Sequence, residues 1–143
     1  NVYLTADIFF VNAQLFFITL SRKINFTAVN HLADRKANTI FKAFKEIYFY
    51  YLRRDFKITL VSSDGEFAPL QVLVNAMSGP RMNLTSANEH VPEIERRIRV
   101  VKERVRCVRH SLPFRRLPLL LLINMVLLAT KMLNHFPTNG GGI

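Results

Sequence analysis

Residues 34–66 read DRKANTIFKAFKEIYFYYLRRDFKITLVSSDGE, and they decide the fold. Ala37, Ile40, Phe41, Phe44, Ile47, Tyr48 and Tyr51 recur at i, i+3, i+4, i+7 spacing. That is the apolar stripe of an amphipathic helix over about Arg35–Arg53, with Lys42, Lys45 and Glu46 on its solvent face. Asp34 has the residue type of an N-cap, whose side chain accepts an unpaired first-turn N–H. Lys57–Val61 then reads as a short apolar strand with no room for a hairpin back to its predecessor. Strand, helix, strand makes a right-handed crossover, so this strand lies parallel to the sheet. It runs out in Ser62-Ser63-Asp64-Gly65-Glu66. A polar loop at the C-terminal end of a parallel strand is where open α/β sheets build their sites.

Upstream lie three further strand candidates. Val2–Val11 is rich in β-branched and aromatic residues, and Leu15–Leu20 and Asn25–Asn30 follow it. The turns between them, at Asn12–Gln14 and Ser21–Lys23, are short enough for an antiparallel meander. Alternation puts Tyr3, Thr5, Asp7 and Phe9 on one side of the first strand. A carboxylate in the middle of an apolar strand is costly unless it is paired, protonated or bound to metal.

Downstream, Glu66–Met77 reads as a short helix broken by Ser78-Gly79-Pro80, and Met82–Thr85 as a short strand. The next helix is Glu89–His110, EHVPEIERRIRVVKERVRCVRH. Val91, Ile94, Ile98, Val101, Val105 and Val108 form its apolar stripe. Pro92 suits the first helical position, since its missing N–H has no partner there anyway. Glu93 and Glu95 fall in the first turn, where the helix dipole favours negative charge. Behind them comes a run of Arg and Lys. Pro118 opens a last apolar helix to about His135, read as buried in the core.

The chain has 143 residues, half of them hydrophobic, with 20 Lys and Arg against 10 Asp and Glu. This suits one domain with a substantial core, and the charge favours a polyanionic partner: nucleic acid or an anionic membrane surface. The start on Asn1 and the end on Gly140–Ile143 suggest a segment of a longer polypeptide. Leu117–Ala129 is shorter than the roughly 20 residues a membrane span needs, and no signal peptide is visible. The single Cys107 excludes an internal disulfide and a Cys-rich zinc site, and it favours a reducing, intracellular setting. Beside Val108 it reads as an inert, partly buried thiol. His31, His90, His110 and His135 are scattered without ligand spacing.

Asp7, Asp64 and Glu95 are the acids that carry chemistry. If the first and fourth strands are neighbours, Asp7 and Asp64 approach each other, and a helix packed across that edge adds Glu95. Three carboxylates without Cys or His make a hard oxygen site suited to Mg²⁺ or Mn²⁺. Two such ions can activate a hydroxyl and stabilise the leaving oxygen at a phosphodiester. Along the same helix face, Arg99, Lys102 and Arg106 follow Glu95 at i+4, i+7 and i+11, where a DNA backbone would lie.

With these acids, the order strand–strand–strand–helix–strand–helix–strand–helix–helix resembles the ribonuclease-H-like fold. More closely, the chain resembles the integrase catalytic core of copia-type LTR retrotransposons, the Asp–Asp–Glu class. The residues that carry the likeness are Leu4-Thr5-Ala6-Asp7-Ile8, Ser63-Asp64-Gly65-Glu66-Phe67, Glu95-Arg96-Arg97-Ile98-Arg99 and Met132-Leu133-Asn134-His135-Phe136-Pro137. The resemblance implies an α/β domain over residues 1–137 with a five-stranded mixed sheet, order 3-2-1-4-5, flanked by helices. Residues 138–143 are then a Gly-rich terminal segment leading to a downstream region.

The likeness also implies 3′-end processing and strand transfer of element DNA, with Asp7, Asp64 and Glu95 as ligands of a two-metal Mg²⁺ or Mn²⁺ site. Arg99 and Lys102 would contact DNA ends. The expected partners are element and target DNA and further copies of the chain, without a membrane. The expected location is the nucleus or a virus-like particle. Ile98 stands where the family motif has Asn, and Val91-Pro92-Glu93 replaces its Asn-Gly.

Other readings stay open. Asp64-Gly65 also reads as a turn pair. Glu93 or Glu89 could take the place of Glu95, and the basic run could be a solvated helix face. A degenerate element fragment would bind nucleic acid without catalysis. A basic protein on a membrane surface would need an exposed apolar helix face, which burial of Leu119–Leu128 would remove.

Overall fold

The computed structural model describes residues 1–22, 24–84, 92–113 and 116–135, with nothing said of the Pro92 side chain. It contains β1 (Val2–Val11), β2 (Gln14–Ser21), β3 (Thr27–Leu32), α1 (Ala37–Leu52), β4 (Ile58–Ser63), a 3₁₀ turn (Gly65–Phe67), α2 (Ala68–Asn75), β5 (Arg81–Leu84), α3 (Pro92–Ser111) and α4 (Leu119–His135). The strands form one mixed sheet in the order β3-β2-β1-β4-β5. β1, β2 and β3 are antiparallel neighbours, while β4 runs parallel to both β1 and β5. This is the expected order. The helical crossover through α1 carries the chain past the meander and sets β4 against β1.

Alternation along the strands divides the core into two. Val2, Leu4, Ala6, Phe17, Ile58 and Val61 face one way and meet Ile40, Phe44, Ile47 and Tyr51 of α1 and Leu70 and Val74 of α2. Phe9, Phe16, Ile18 and Leu20 face the other way and meet Ile94, Val101 and Val105 of α3 and Leu122, Met125, Val126 and Leu133 of α4. Phe9 and Phe16 stack across the β1–β2 pair with ring centroids 5.4 Å apart.

The β1–β2 hairpin closes over two residues, with Val11 opposite Gln14. Asn12 and Ala13 both take positive φ, 47° and 64°. That twist matches the flanking strands, and it strains Ala13, which has a Cβ.

Four expectations shift. β3 begins at Thr27 rather than Asn25, because Asn25 takes the left-handed φ of 55° and stays in the turn. α1 begins at Ala37 with Lys36 at the cap position, so Asp34 does not cap it. Asp34 instead accepts the Lys36 N–H at 2.9 Å. Hydrogen bonds from Thr39 and from that N–H hold its carboxyl below the ordinary range.

On α3, Cys107 and Val108 are exposed. The apolar stripe therefore ends at Val105, and Cys107 is not partly buried. Finally, α4 is only half covered. Leu122, Met125, Val126, Ala129 and Leu133 are buried, but Leu119, Leu120 and Leu128 are 54%, 70% and 55% exposed. The fully buried reading fails because the leucines run around the helix, and packing covers one side only. Among the described residues no helix is long and apolar enough to cross a membrane.

Candidate active site

β1 and β4 pair in parallel with Thr5 opposite Ser62. Asp64 follows β4 with extended backbone, φ −80° and ψ 176°. The ladder ends at Thr5 and Ser62, and continued by two residues its register would bring Asp64 to Asp7, whose carboxyl feels the Asp64 charge. The turn reading of Asp64 is borne out. Its Oδ1 accepts the Glu66 N–H at 3.1 Å and caps the 3₁₀ turn, which fixes the side chain at the strand end.

Asp7 is half-buried, and its Oδ1 accepts the Ile8 N–H at 2.7 Å. Burial is the main force on its carboxyl, pushing its pKa up to about 6; the Ile8 N–H opposes, and the charges of Asp64, Glu66 and Glu95 raise it further. Acids from two elements, the turn after β4 and α3, therefore act on one half-buried carboxyl. Of the α3 first-turn acids, Glu95 acts on Asp7, whereas Glu93 pairs with Arg22 at 3.3 Å. Glu89 lies outside the described residues.

Glu66 belongs to this acidic group, and sequence reading assigned it no role. The available signal was its place two residues past Asp64 in a loop already marked as a site. It is also bound to Arg35, Nη2 to Oε2, at 2.8 Å.

Arg97 was missed as well. It is buried at 9% exposure, and its guanidinium donates to Asn25 Oδ1 at 2.8 Å. Burial lowers its pKa. With the Arg22–Glu93 pair, this bond ties the β2–β3 turn to the first turns of α3, on either side of Glu95. The available signal for Arg97 was its spacing: it lies three residues after Ile94 and four before Val101, on the buried side of α3.

The basic face forms as a groove along α3, lined by Glu95, Ile98, Arg99, Lys102, Glu103 and Arg106. Arg99, Lys102 and Arg106 are exposed beside it. Glu103 shares the groove, so its charge is mixed.

Among the described residues no group of three or more His, Cys, Asp or Glu side chains stands ready as a metal cage. Mg²⁺ does not require one. It commonly keeps several waters and takes one or two carboxylates plus substrate phosphates. Asp7 and Asp64 would supply such a pair of hard oxygen donors. Asp7, disfavoured as an anion by burial and by its neighbours, is the carboxylate a divalent cation would stabilise most. The donor chemistry fits Mg²⁺ or Mn²⁺.

The mixed sheet, its strand order and its flanking helices define a ribonuclease-H-like fold. Among solved structures, the chain is similar to the catalytic core domain of BIV integrase, with a TM-score of 0.68 and 15% sequence identity, covering 99% of this chain and 86% of that one. At that identity the fold is what the two share. No protein-family model and no curated protein sequence matches the chain.

Proposed function

We propose that the chain is an integrase-type polynucleotidyl transferase core. In this reading it carries out 3′-end processing and strand transfer for a copia-type retroelement, in the nucleus or a virus-like particle. The observation that carries the reading is the place of Asp7: a half-buried carboxyl mid-strand, its pKa raised to about 6 chiefly by burial and further by Asp64 and Glu66 of the turn after β4 and by Glu95 of α3. A structural carboxylate is normally paired with a cation; this one is surrounded by its own sign.

Asp7, Asp64 and Glu95 would hold Mg²⁺ or Mn²⁺, which supplies Lewis acidity to the attacking and leaving oxygens of a phosphodiester. The remaining work falls to the chain's own residues. The 3₁₀ cap fixes Asp64, and the Ile8 N–H fixes Asp7. Arg99, Lys102 and Arg106 bind the DNA backbone beside the acids and set its position. Association of several copies is supported by the uncovered leucines of α4 and by an open cavity of about 540 Å³ between β3, α1 and α4.

The test is a Mn²⁺-dependent strand-transfer assay with element-end DNA. Asp64→Asn and Glu95→Gln should each lower the rate by at least about a hundredfold, the scale on which removing transition-state stabilisation acts. Equal activity in wild type and both variants would reject the assignment. The second reading, nucleic-acid binding without catalysis, is favoured by the lack of a ready cage of three ligands among the described residues. It calls for no Mn²⁺-dependent product from wild type and for DNA binding unchanged by either variant.

A further inference from the structure

The cavity of about 540 Å³ between β3, α1 and α4 lies on an edge of the sheet. β3 ends the strand order on that side, and among the described residues no strand lies beyond it. Peptide groups along an antiparallel strand turn alternately toward the partner and away from it. Ser21 donates to the Phe26 carbonyl at 2.9 Å, so Phe26, Ala28, Asn30 and Leu32 turn toward β2, while Thr27, Val29 and His31 turn outward.

Thr27 is already closed. Its N–H donates to Asn134 Oδ1 at 2.8 Å, and its carbonyl accepts from Asn134 Nδ2 at 2.7 Å. The Asn134 amide thus stands where the peptide group of a further strand would stand. On the opposite edge α2 treats β5 alike: Asn75 Oδ1 accepts the Met82 N–H and Gln71 Nε2 donates to the Met82 carbonyl, both at 2.9 Å. Among the described residues nothing closes Val29 and His31 in this way. A sheet edge with unpaired peptide groups is a template for another strand.

The walls of the cavity select that strand. Side chains of an added strand would point alternately to the two faces of the sheet. One set would meet Glu46, Ile47 and Tyr50 of α1, and the other Leu127, Lys131 and His135 of α4. Asn30 holds Glu46 in place by donating to its Oε2 at 3.0 Å, and Tyr50 stacks on Phe26 with ring centroids 5.6 Å apart. One wall is therefore acidic and the other basic. The β3 edge of a second copy does not suit them. Two such edges would meet antiparallel across a two-fold axis, with α1 beside α1 and α4 beside α4. Glu46 would then face Glu46 and Lys131 would face Lys131, and like charges repel.

We propose that this edge binds an extended peptide of another protein by strand addition. The peptide backbone pairs with Val29 and His31. Its side chains alternate, basic toward Glu46 and acidic toward Lys131, with aliphatic residues over Ile47 and Leu127. The site needs neither metal nor DNA, so it goes beyond the proposed function, and it leaves association of copies to the leucines of α4.

The test is fluorescence anisotropy of the whole chain with a short labelled peptide, Lys and Val alternating on one side of the strand and Glu and Val on the other. Wild type should bind it saturably. Val29→Pro removes an outward N–H and spares the ladder to β2, and it should weaken binding by about tenfold. Methylation of the peptide amides that face the edge should abolish binding. Glu46→Lys should weaken it, and a peptide with Glu in place of its Lys should restore binding to that variant. No saturable binding by wild type, indifference to amide methylation or to folded Val29→Pro, or no rescue by the charge-swapped peptide would overturn the proposal. So would self-association in sedimentation that Val29→Pro abolishes, which would give the edge to a second copy. Peptide binding by a chain that yields no Mn²⁺-dependent product supports the edge site and rejects the catalytic reading alone.

Discussion

The two faces of the sheet are built to different standards. The face under α1 and α2 is closed and almost wholly apolar: Phe17, Phe44, Tyr51, Leu4 and Val61 are each at most 2% exposed. The face under α3 and α4 mixes a core with compromises. Beside Phe9 and Phe16 it holds a carboxyl that burial disfavours as an anion, and a buried guanidinium whose hydrogen bond goes to a neutral amide. Its outer helix leaves leucines uncovered. The two charged groups that burial disfavours, Asp7 and Arg97, lie on one side, together with the residues proposed to act on DNA. The first face fixes the sheet, and the second uses that rigidity to hold groups that would not stay in place by themselves.

The largest effect should come from breaking the closed face. Phe44→Ala removes a fully buried ring from between α1 and β1/β4, and it should cost about 3–5 kcal/mol in urea denaturation. Oligonucleotide affinity of the folded fraction should not change. A loss under about 1 kcal/mol would mean that this face does not carry the fold.

A smaller effect is expected on the other face from Asn25→Ala, which leaves the buried Arg97 guanidinium without that acceptor. The cost should be about 1.5–3 kcal/mol by the same measurement. Because Arg97 lies two residues past Glu95 and the bond holds the start of α3 against the β2–β3 turn, Mn²⁺ affinity should fall as well. Unchanged stability would show that water replaces Asn25 and that the tie to α3 is slack.

The division between faces also explains what the sequence made legible. The antiparallel meander and the parallel direction of β4 could be read from connection lengths, short turns and then the helical crossover at Ala37–Leu52, while the full strand order came from the family resemblance. The apolar stripe of α1 has one covered side, and its periodicity shows which. Asp7 stood out because strand interiors rarely hold an acid. In α4 the leucines surround the helix, and no pattern tells which of Leu119–Leu128 will find a partner. Arg97 stood at a stripe position between Ile94 and Val101, but its charge argued against burial, and the acceptor that offsets this, Asn25, lies 72 positions away. β3 was misplaced by two residues because the left-handed turn at Asn25 reads in sequence as strand. Asp34 carried the composition of a cap but not the position. Glu66 joins the acidic group through tertiary closure, which one sequence does not display.

The smallest effect concerns Asp7 and has a definite sign. Its folded pKa lies above the ordinary 3.8, at about 6. Protonation therefore favours the fold: the contribution is complete below about pH 3.8 and is lost as pH rises through about 6. Discounted for the solvent that still reaches the group, it amounts to about 1 kcal/mol. Stability of the metal-free wild type should fall by that much relative to Asp7→Asn between pH 4 and pH 7.5. A parallel pH dependence of the two would remove Asp7 from the contrast between faces.

The most direct measurement follows the Asp7 carboxyl carbon by ¹³C NMR through a pH titration, without and with saturating Mg²⁺. Without the ion it should titrate near pH 6. With the ion, its midpoint should drop below the ordinary carboxylate value, because a bound cation favours the anion. The same drop should be absent in Asp64→Asn. A midpoint that Mg²⁺ does not move would contradict the claim that β1, β4 and α3 build a cation site.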